Sequence, residues 1–430
     1  MRIVTAIYLA LSALPVMAEN RIDGLRPDAP ELAAPGDMVI GVTTLTLTNP
    51  GQVDVVNATE TDAPLYDRPL VVELWYPAAP GTLPGGSYDT LLRDGTTPVT
   101  LVGQAARDAA EAGGRYPLVI LSHGYPGNRL LMGHLAENLA SKGYVVVSID
   151  HTDSIYDSQL AFGSTLVNRP WDQRFVLDAL ASLDGPLGAM IDADRTAVIG
   201  YSMGGYGALI LAGGGVTAAA PALPWTAPGG LLGRNVAGSE GLAALQDDRL
   251  RAVIAIGPWG RNADLWDAAG LAGIDVPLML VAGSVDDVSQ YSAIRQIFDE
   301  TTGTDRLLLT FENANHNAGA PIPPPAEGYA VNPDLGWAPF EHYADPVWDN
   351  VRMNNVLQHF ATAFLDLHLK DDAAIGRFLD VTERAADGVW AVDDAGNPTD
   401  AFTYWAGFPN RSAIGLMLER RAAGNQAGLE

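Results

Sequence analysis

The chain has 430 residues, with 25 lysines and arginines against 51 aspartates and glutamates for a formal net charge of −26, 48% hydrophobic residues and no cysteine. That much apolar content marks a folded core rather than a disordered chain, and the lack of cysteine excludes disulfides, a thiolate nucleophile and cysteine-held zinc or iron–sulfur clusters. The acidic surplus, with no run of Lys and Arg, argues against nucleic acid and anionic membranes as partners.

Residues 1–18 (MRIVTAIYLALSALPVMA) carry one positive charge at Arg2, an apolar run and a small-residue end. This reads as a secretory signal cleaved before Glu19, which would place the protein in the periplasm or outside the cell. The apolar run is short for a bilayer core of about 30 Å and Pro15 interrupts it, so stable membrane insertion is not expected. Residues 19–38, rich in Pro, Ala and Asp, read as a loosely held N-terminal arm.

Residues 39–47 (VIGVTTLTL) and 70–76 (LVVELWY) read as two antiparallel strands near a sheet edge. Six short runs follow: 117–122 (PLVILS), 144–149 (YVVVSI), 196–200 (TAVIG), 252–257 (AVIAIG), 277–282 (PLMLVA) and 306–311 (RLLLTF). Continuous rather than alternating hydrophobicity marks strands buried on both faces, as in a parallel sheet. Helical patterns lie between or after them at 130–142, 171–183, 203–212, 291–301 and 350–369. Alternating strands and helices predict a doubly wound α/β domain over 39–370. Within it, residues 214–250 and 317–345 are long insertions of the kind that form lids or binding loops. Residues 371–430 form a C-terminal extension, including a hairpin-like stretch at 394–397, to which the sequence assigns no role.

The motif that carries chemistry is Gly200-Tyr201-Ser202-Met203-Gly204, between a strand and an apolar helix. A serine on a sharp strand-to-helix turn needs small neighbours, and the turn exposes its hydroxyl above the sheet. A serine hydroxyl needs a base, and the base needs an acid to orient it; in this arrangement the chain order is Ser, Asp or Glu, His. Four histidines follow Ser202. His359 and His368 fall in a helical pattern, and His342 lies in an aromatic loop, whereas His316 follows the last strand directly and is the expected base. The acid is expected after the preceding strand, where Asp286 and Asp287 both stand, Asp286 being preferred. Asp150 and Asp153 precede the serine, so structural roles are expected of them.

Acyl transfer also needs hydrogen-bond donors for the developing oxyanion. The backbone N–H of Met203, at the helix N-terminus, is one candidate. The N–H of Tyr125, in His123-Gly124-Tyr125-Pro126-Gly127 after the first parallel strand, is the other; His123 itself is expected to be structural. No His, Asp or Glu set has metal-ligand spacing such as HExxH, and no cofactor is expected.

The strings RPLVVELWYPA (68–78) and YPLVILSHGYPGNRLLMGHLAENLASKGYVVVSIDHTD (116–153) resemble secreted α/β-hydrolases of the platelet-activating-factor acetylhydrolase and dienelactone-hydrolase-like group. Ser122-His123-Gly124-Tyr125, the Ser202 motif and Pro258-Trp259 are also similar to bacterial cutinase-like polyester hydrolases. The resemblance covers roughly residues 39–320. It implies the α/β-hydrolase fold, a Ser202–Asp286–His316 triad, Tyr125 and Met203 as oxyanion donors, and Tyr125 and Trp259 as substrate contacts. Two features depart from it: 84 residues separate Ser202 from Asp286, and no disulfide can form. The function expected is a secreted serine esterase acting on short-chain, aromatic or polyester-type esters. A lipid-acting acetylhydrolase and a non-catalytic binding protein of the same fold are the alternatives. The sequence leaves the oligomeric state open.

Overall fold

The computed structural model describes residues 19–424, so the signal-like segment 1–18 lies outside the described residues. A ten-stranded sheet forms the centre. Its principal strands are β1 (Ile40–Val53), β2 (Leu65–Pro77), β3 (Tyr116–Ser122), β4 (Val145–Asp150), β5 (Ile191–Tyr201), β6 (Leu250–Ile256), β7 (Leu278–Gly283), β8 (Arg306–Phe311) and β9 (Leu416–Arg421). From one edge they run β9, β8, β7, β6, β5, β3, β4, β2, β1, and the two-residue strand Ala106–Arg107 completes the other edge. The six strands from β3 to β8 pair in parallel, while β2 pairs antiparallel with β4 and β1, β9 pairs antiparallel with β8, and Ala106–Arg107 pairs in parallel with β1.

Each parallel run predicted from sequence is a strand, and the reason is visible in its burial. Leu118 to Leu121, Val145 to Val147, Ala197 to Ile199 and Ala252 to Ile256 are wholly buried, because helices cover both faces. These are α1 (Gly133–Ser141), α2 (Phe162–Ala181), α3 (Met203–Leu211), α4 (Tyr291–Glu300) and α5 (Asn350–Leu369). The strand order reverses between β4 and β5 around β3, and a sheet of this type places its crevice where the carboxyl ends diverge. Ser122, Tyr201, Gly283 and Phe311 close the carboxyl ends of β3, β5, β7 and β8.

The structure differs from two of these expectations. The helix expected from residue 171 begins nine residues earlier, at Phe162, because Pro170 sits inside it rather than before it. Residues 19–38 are not a loose arm. Asn20 and Arg21 pair in parallel with Leu101 and Val102, Ile22 and Ala33 are buried, and the Leu32 N–H donates to His359 Nδ1 at 3.2 Å. The strand Pro98–Gly103 that receives them also pairs with Gly86–Leu91 in a small sheet that the sequence did not announce.

The described part of the C-terminal extension covers one sheet edge and the outside of α5. Leu416–Arg421 adds β9 antiparallel to β8, which occupies backbone groups that an open edge would expose. Phe378 and Phe408 pack edge-on against His359 at 5.1 and 5.0 Å, and Trp405 against Phe360 at 5.8 Å. Residues 392–398 close a small exposed bridge between Val392 and Pro398.

Candidate active site

Ser202 stands alone between β5 and α3, with φ 53° and ψ −112°. A non-glycine residue reaches such a conformation only where its surroundings hold it there. Its N–H donates to Ile256 O at 2.8 Å, and its carbonyl accepts from Tyr206 N–H at 3.0 Å and Trp259 N–H at 3.4 Å. The two glycines of the motif are explained by space. A Cβ on Gly200 would lie 2.2 Å from Gly204 O, and one on Gly204 would lie 1.9 Å from Ser122 O. The turn therefore closes only with glycine at both places.

His316 follows β8 after a tight turn in which the Asn315 side chain accepts the His316 N–H at 2.7 Å and Asp345 accepts the Asn315 N–H at 2.7 Å. The imidazole lies against Gly257, where a Cβ would come within 3.1 Å of it, and 5.2 Å from the Tyr201 ring. Its Nδ1 is 2.9 Å from Asp286 Oδ2. Asp286 Oδ1 in turn accepts the N–H groups of Val288 at 2.9 Å and Ser289 at 2.8 Å, so both carboxylate oxygens are held. Asp287 is exposed, and its backbone N–H reaches Asn315 Oδ1 at 3.3 Å. Of the two candidate acids, Asp286 meets the imidazole. That pairing fixes the Nδ1–H tautomer and leaves Nε2 as the basic nitrogen.

The loop after β3 lies directly against the serine: a Cβ on Gly124 would sit 3.3 Å from Ser202 Cβ. The Met203 and Tyr125 amides thus come from two segments that meet at Ser202. Tyr125 and Trp259 belong to an aromatic wall that sequence reasoning saw only in part. Phe162, at the start of α2, packs edge-on between them, with ring centres 5.2 Å from Tyr125 and 5.3 Å from Trp259. Trp225, from the 214–250 insertion, lies 6.0 Å from Trp259 and stays 39% exposed, which leaves its face open to a ligand. The insertion is anchored behind this wall by Asn235, which donates to Leu166 O, and by Arg234 stacked on Trp171 at 3.5 Å. Trp225 is the one aromatic in a Gly-, Pro- and Ala-rich stretch, a signal that could have singled it out.

A second Ser–His–Asp arrangement lies behind the first. Ser122 Oγ is 2.8 Å from His151 Nε2, and His151 Nδ1 is 2.9 Å from Asp172 Oδ2. Ser122 is 0% exposed, so no substrate reaches it, whereas Ser202 keeps 8% of its surface exposed. Burial, with Arg169 beside it, pushes His151 down to about 3. Burial alone would raise Asp172, but Arg68 on both its oxygens brings it down to about 2. Arg68 also binds Asp153, and Arg129 binds Asp150, which gives those two aspartates structural partners. His123 is wholly buried. His342 faces Tyr156, with Nε2 3.0 Å from its hydroxyl, and not a carboxylate. Among the described residues no group of three His, Asp or Glu side chains could hold a metal ion.

The chain is similar to known ester hydrolases. A family model described as PET hydrolase-like matches residues 105–231, a span that holds the Tyr125 loop and Ser202 but neither Asp286 nor His316. Cutinase est1 of Thermobifida alba is 28% identical over 205 residues, covering 47% of this chain and 54% of that protein. Cutinase est2 of the same organism is 33% identical over 210 residues, covering 47% and 53%. The chain therefore spans about half the length of the curated relatives it matches. Among solved structures, a ferulic acid esterase from Streptomyces cinnamoneus superposes with a TM-score of 0.54 at 22% identity, covering 80% of this chain and 94% of that one. The fold is that of an α/β-hydrolase, and the resemblance to cutinase-like polyester hydrolases is carried by sequence as well.

Proposed function

We propose that this chain is a secreted serine ester hydrolase that works through an acyl-enzyme on short-chain, aromatic or polyester-type esters. The observation that carries the reading is the Asp286–His316 pair, 2.9 Å apart, set beside a strained Ser202 at the head of α3. The similarity to cutinases supports the reaction class. Residues 1–18 support export.

In the first half-reaction His316 Nε2 takes the proton of Ser202 Oγ as that oxygen bonds to the ester carbonyl carbon. The carbonyl oxygen gains the negative charge and is held by the Tyr125 and Met203 N–H groups, each donor contributing a factor of roughly 10²–10³. The intermediate collapses as the alkoxide leaves with the proton from His316. Water, deprotonated by the same imidazole, then releases the acid and restores Ser202. To accept that proton the imidazole must be neutral.

Tyr125, Phe162, Trp225 and Trp259 supply flat apolar contacts, which favours an aryl or compact acyl group over a charged one. Trp225, 39% exposed, gives this wall some open apolar surface, the feature that favours a lipid substrate as the second reading. Among the described residues no helix is long and apolar enough to cross a membrane. Hydrolysis of p-nitrophenyl acetate, butyrate, benzoate and palmitate separates the readings. The expected profile peaks at acetate, butyrate or benzoate, and Trp225→Ala lowers kcat/KM for benzoate several-fold more than for acetate. A peak at palmitate would move the assignment to lipids, and hydrolysis no faster than with Ser202→Ala would remove the enzyme reading.

A further inference from the structure

Arg169 of α2 lies beneath the loop over Ser202, 1% exposed. Its Nη1 donates to His123 O at 2.5 Å, and its Nη2 donates to Ser154 Oγ at 2.7 Å and Gly124 O at 3.4 Å, while Nε has no hydrogen-bond partner. None of these bonds goes to a carboxylate. Asp172, the nearest acid on the same helix, is engaged by Arg68 and His151. A buried guanidinium without a carboxylate of its own is costly to keep, so its charge calls for an explanation. Burial lowers it and the nearby Asp172 charge works against that, so it falls only to about 9 and stays a cation at neutral pH.

The atoms it faces supply the explanation. Gly124 O also accepts from His123 Nδ1 at 2.7 Å. The His151 backbone N–H donates to His123 Nε2 at 3.2 Å, so Nε2 is the acceptor and the proton sits on Nδ1. His123 and Arg169 therefore both pull on the carbonyl of the Gly124–Tyr125 peptide. In a trans peptide the C=O and N–H point to opposite sides. Holding the carbonyl back on Arg169 turns the Tyr125 N–H the other way, and polarising the carbonyl strengthens that N–H as a donor.

We propose that Arg169 is a positioning residue for oxyanion binding: its guanidinium, with the Nδ1–H form of His123, fixes and polarises the Gly124–Tyr125 peptide so that the Tyr125 N–H meets the charge developing on the ester oxygen. The inference rests on the oxyanion role proposed for Tyr125 above. It gives a role in the transition state to a buried cation that makes no hydrogen bond to a carboxylate.

The test compares wild type, Arg169→Gln, Arg169→Lys and Ser202→Ala on p-nitrophenyl butyrate, with the inhibition constant of an arylboronic acid, which forms a tetrahedral adduct on an active serine, and with the melting temperature. Arg169→Gln is expected to lower kcat roughly 100-fold, the loss typical of one oxyanion donor, with KM within threefold of wild type and boronate affinity falling in step with kcat/KM. Arg169→Lys keeps the charge but not the fork and is expected to retain an intermediate rate. A folded Arg169→Gln whose kcat stays within threefold of wild type overturns the proposal, as does a loss that appears in KM and leaves boronate affinity unchanged. If the Gln variant does not fold, Arg169→Lys decides: a full wild-type kcat overturns the proposal. Wild type no faster than Ser202→Ala, with no boronate binding, removes the esterase reading and this inference with it. Ser202-dependent activity that ignores Arg169 removes the inference alone.

Discussion

Ser202→Ala should lower turnover of a p-nitrophenyl ester by roughly 10⁴- to 10⁶-fold, the loss seen when one member of a triad that acts as a unit is removed. The magnitude follows from what the hydroxyl does: without Oγ no acyl-enzyme forms, and only binding and the oxyanion donors remain to act on attacking water. The fold should survive, because the motif's glycines set the turn and a Cβ at position 202 is retained. Ser122→Ala makes the informative contrast. It belongs to a Ser–His–Asp set with both of its hydrogen bonds formed, but a closed one. Its removal strands His151 Nε2 without a donor at a cost of about 1–3 kcal/mol, so the expected effect falls on melting temperature, with a loss of rate of less than tenfold. Equal losses of rate in both variants would contradict the assignment of the nucleophile.

The second large effect is on acid stability. His123, His134, His151 and His359 are almost fully buried. Burial pushes His134, His151 and His359 down to about 3, and His123 well below its ordinary value. In the unfolded chain each imidazole takes up its proton near pH 6.5. Between those limits the unfolded state holds more protons, so stability is present above about pH 6.5 and is lost as the pH falls toward 3. One fully depressed histidine loses about 1.4 kcal/mol per pH unit in that window. Four acting together approach roughly 5 kcal/mol per unit, against a total stability on the order of 5–15 kcal/mol. Burial raises Glu137 and Asp150, and these work in the opposite direction, because a carboxyl with a raised folded value gains from acid. Relief of repulsion in a chain of charge −26 also opposes the loss. Burial pushes His342 down to about 3 as well, so two carboxyls against five imidazoles leave the balance with the imidazoles. The melting temperature should fall steeply between pH 6 and pH 4; a value that holds constant to pH 4 would show that these rings are not buried neutral.

How much of this was legible in the sequence depends on how local each signal is. The turn at Ser202 is written in five consecutive residues, and the strands around it are continuous apolar runs, so both could be read directly. His316 and Asp286 follow from chain order and strand ends, because the sheet itself brings consecutive strand termini together. Phe162 is a different case. Proline breaks the interior of most helices, and only tertiary packing tolerates Pro170 inside α2, so the residue that bridges Tyr125 and Trp259 falls outside the helical pattern that begins at 171. The small sheet built on 86–91 and 98–103 has no continuous apolar run, and its partner at 20–21 is too short to carry any periodicity. Ser122, His151 and Asp172 show the reverse limit. Their geometry resembles a triad, and burial alone separates them from one. The role of Arg169 was invisible in the sequence because it depends on which carbonyls a single guanidinium meets across 46 residues of chain.

The most direct measurement is covalent labelling of residues 19–430 with a fluorophosphonate, which bonds to an activated serine Oγ with loss of fluoride. The account predicts one adduct per chain by intact mass, mapped to the peptide that holds Ser202, absent in Ser202→Ala and retained in Ser122→Ala. No adduct on the folded protein at saturating probe, or an adduct on any other serine, would contradict it.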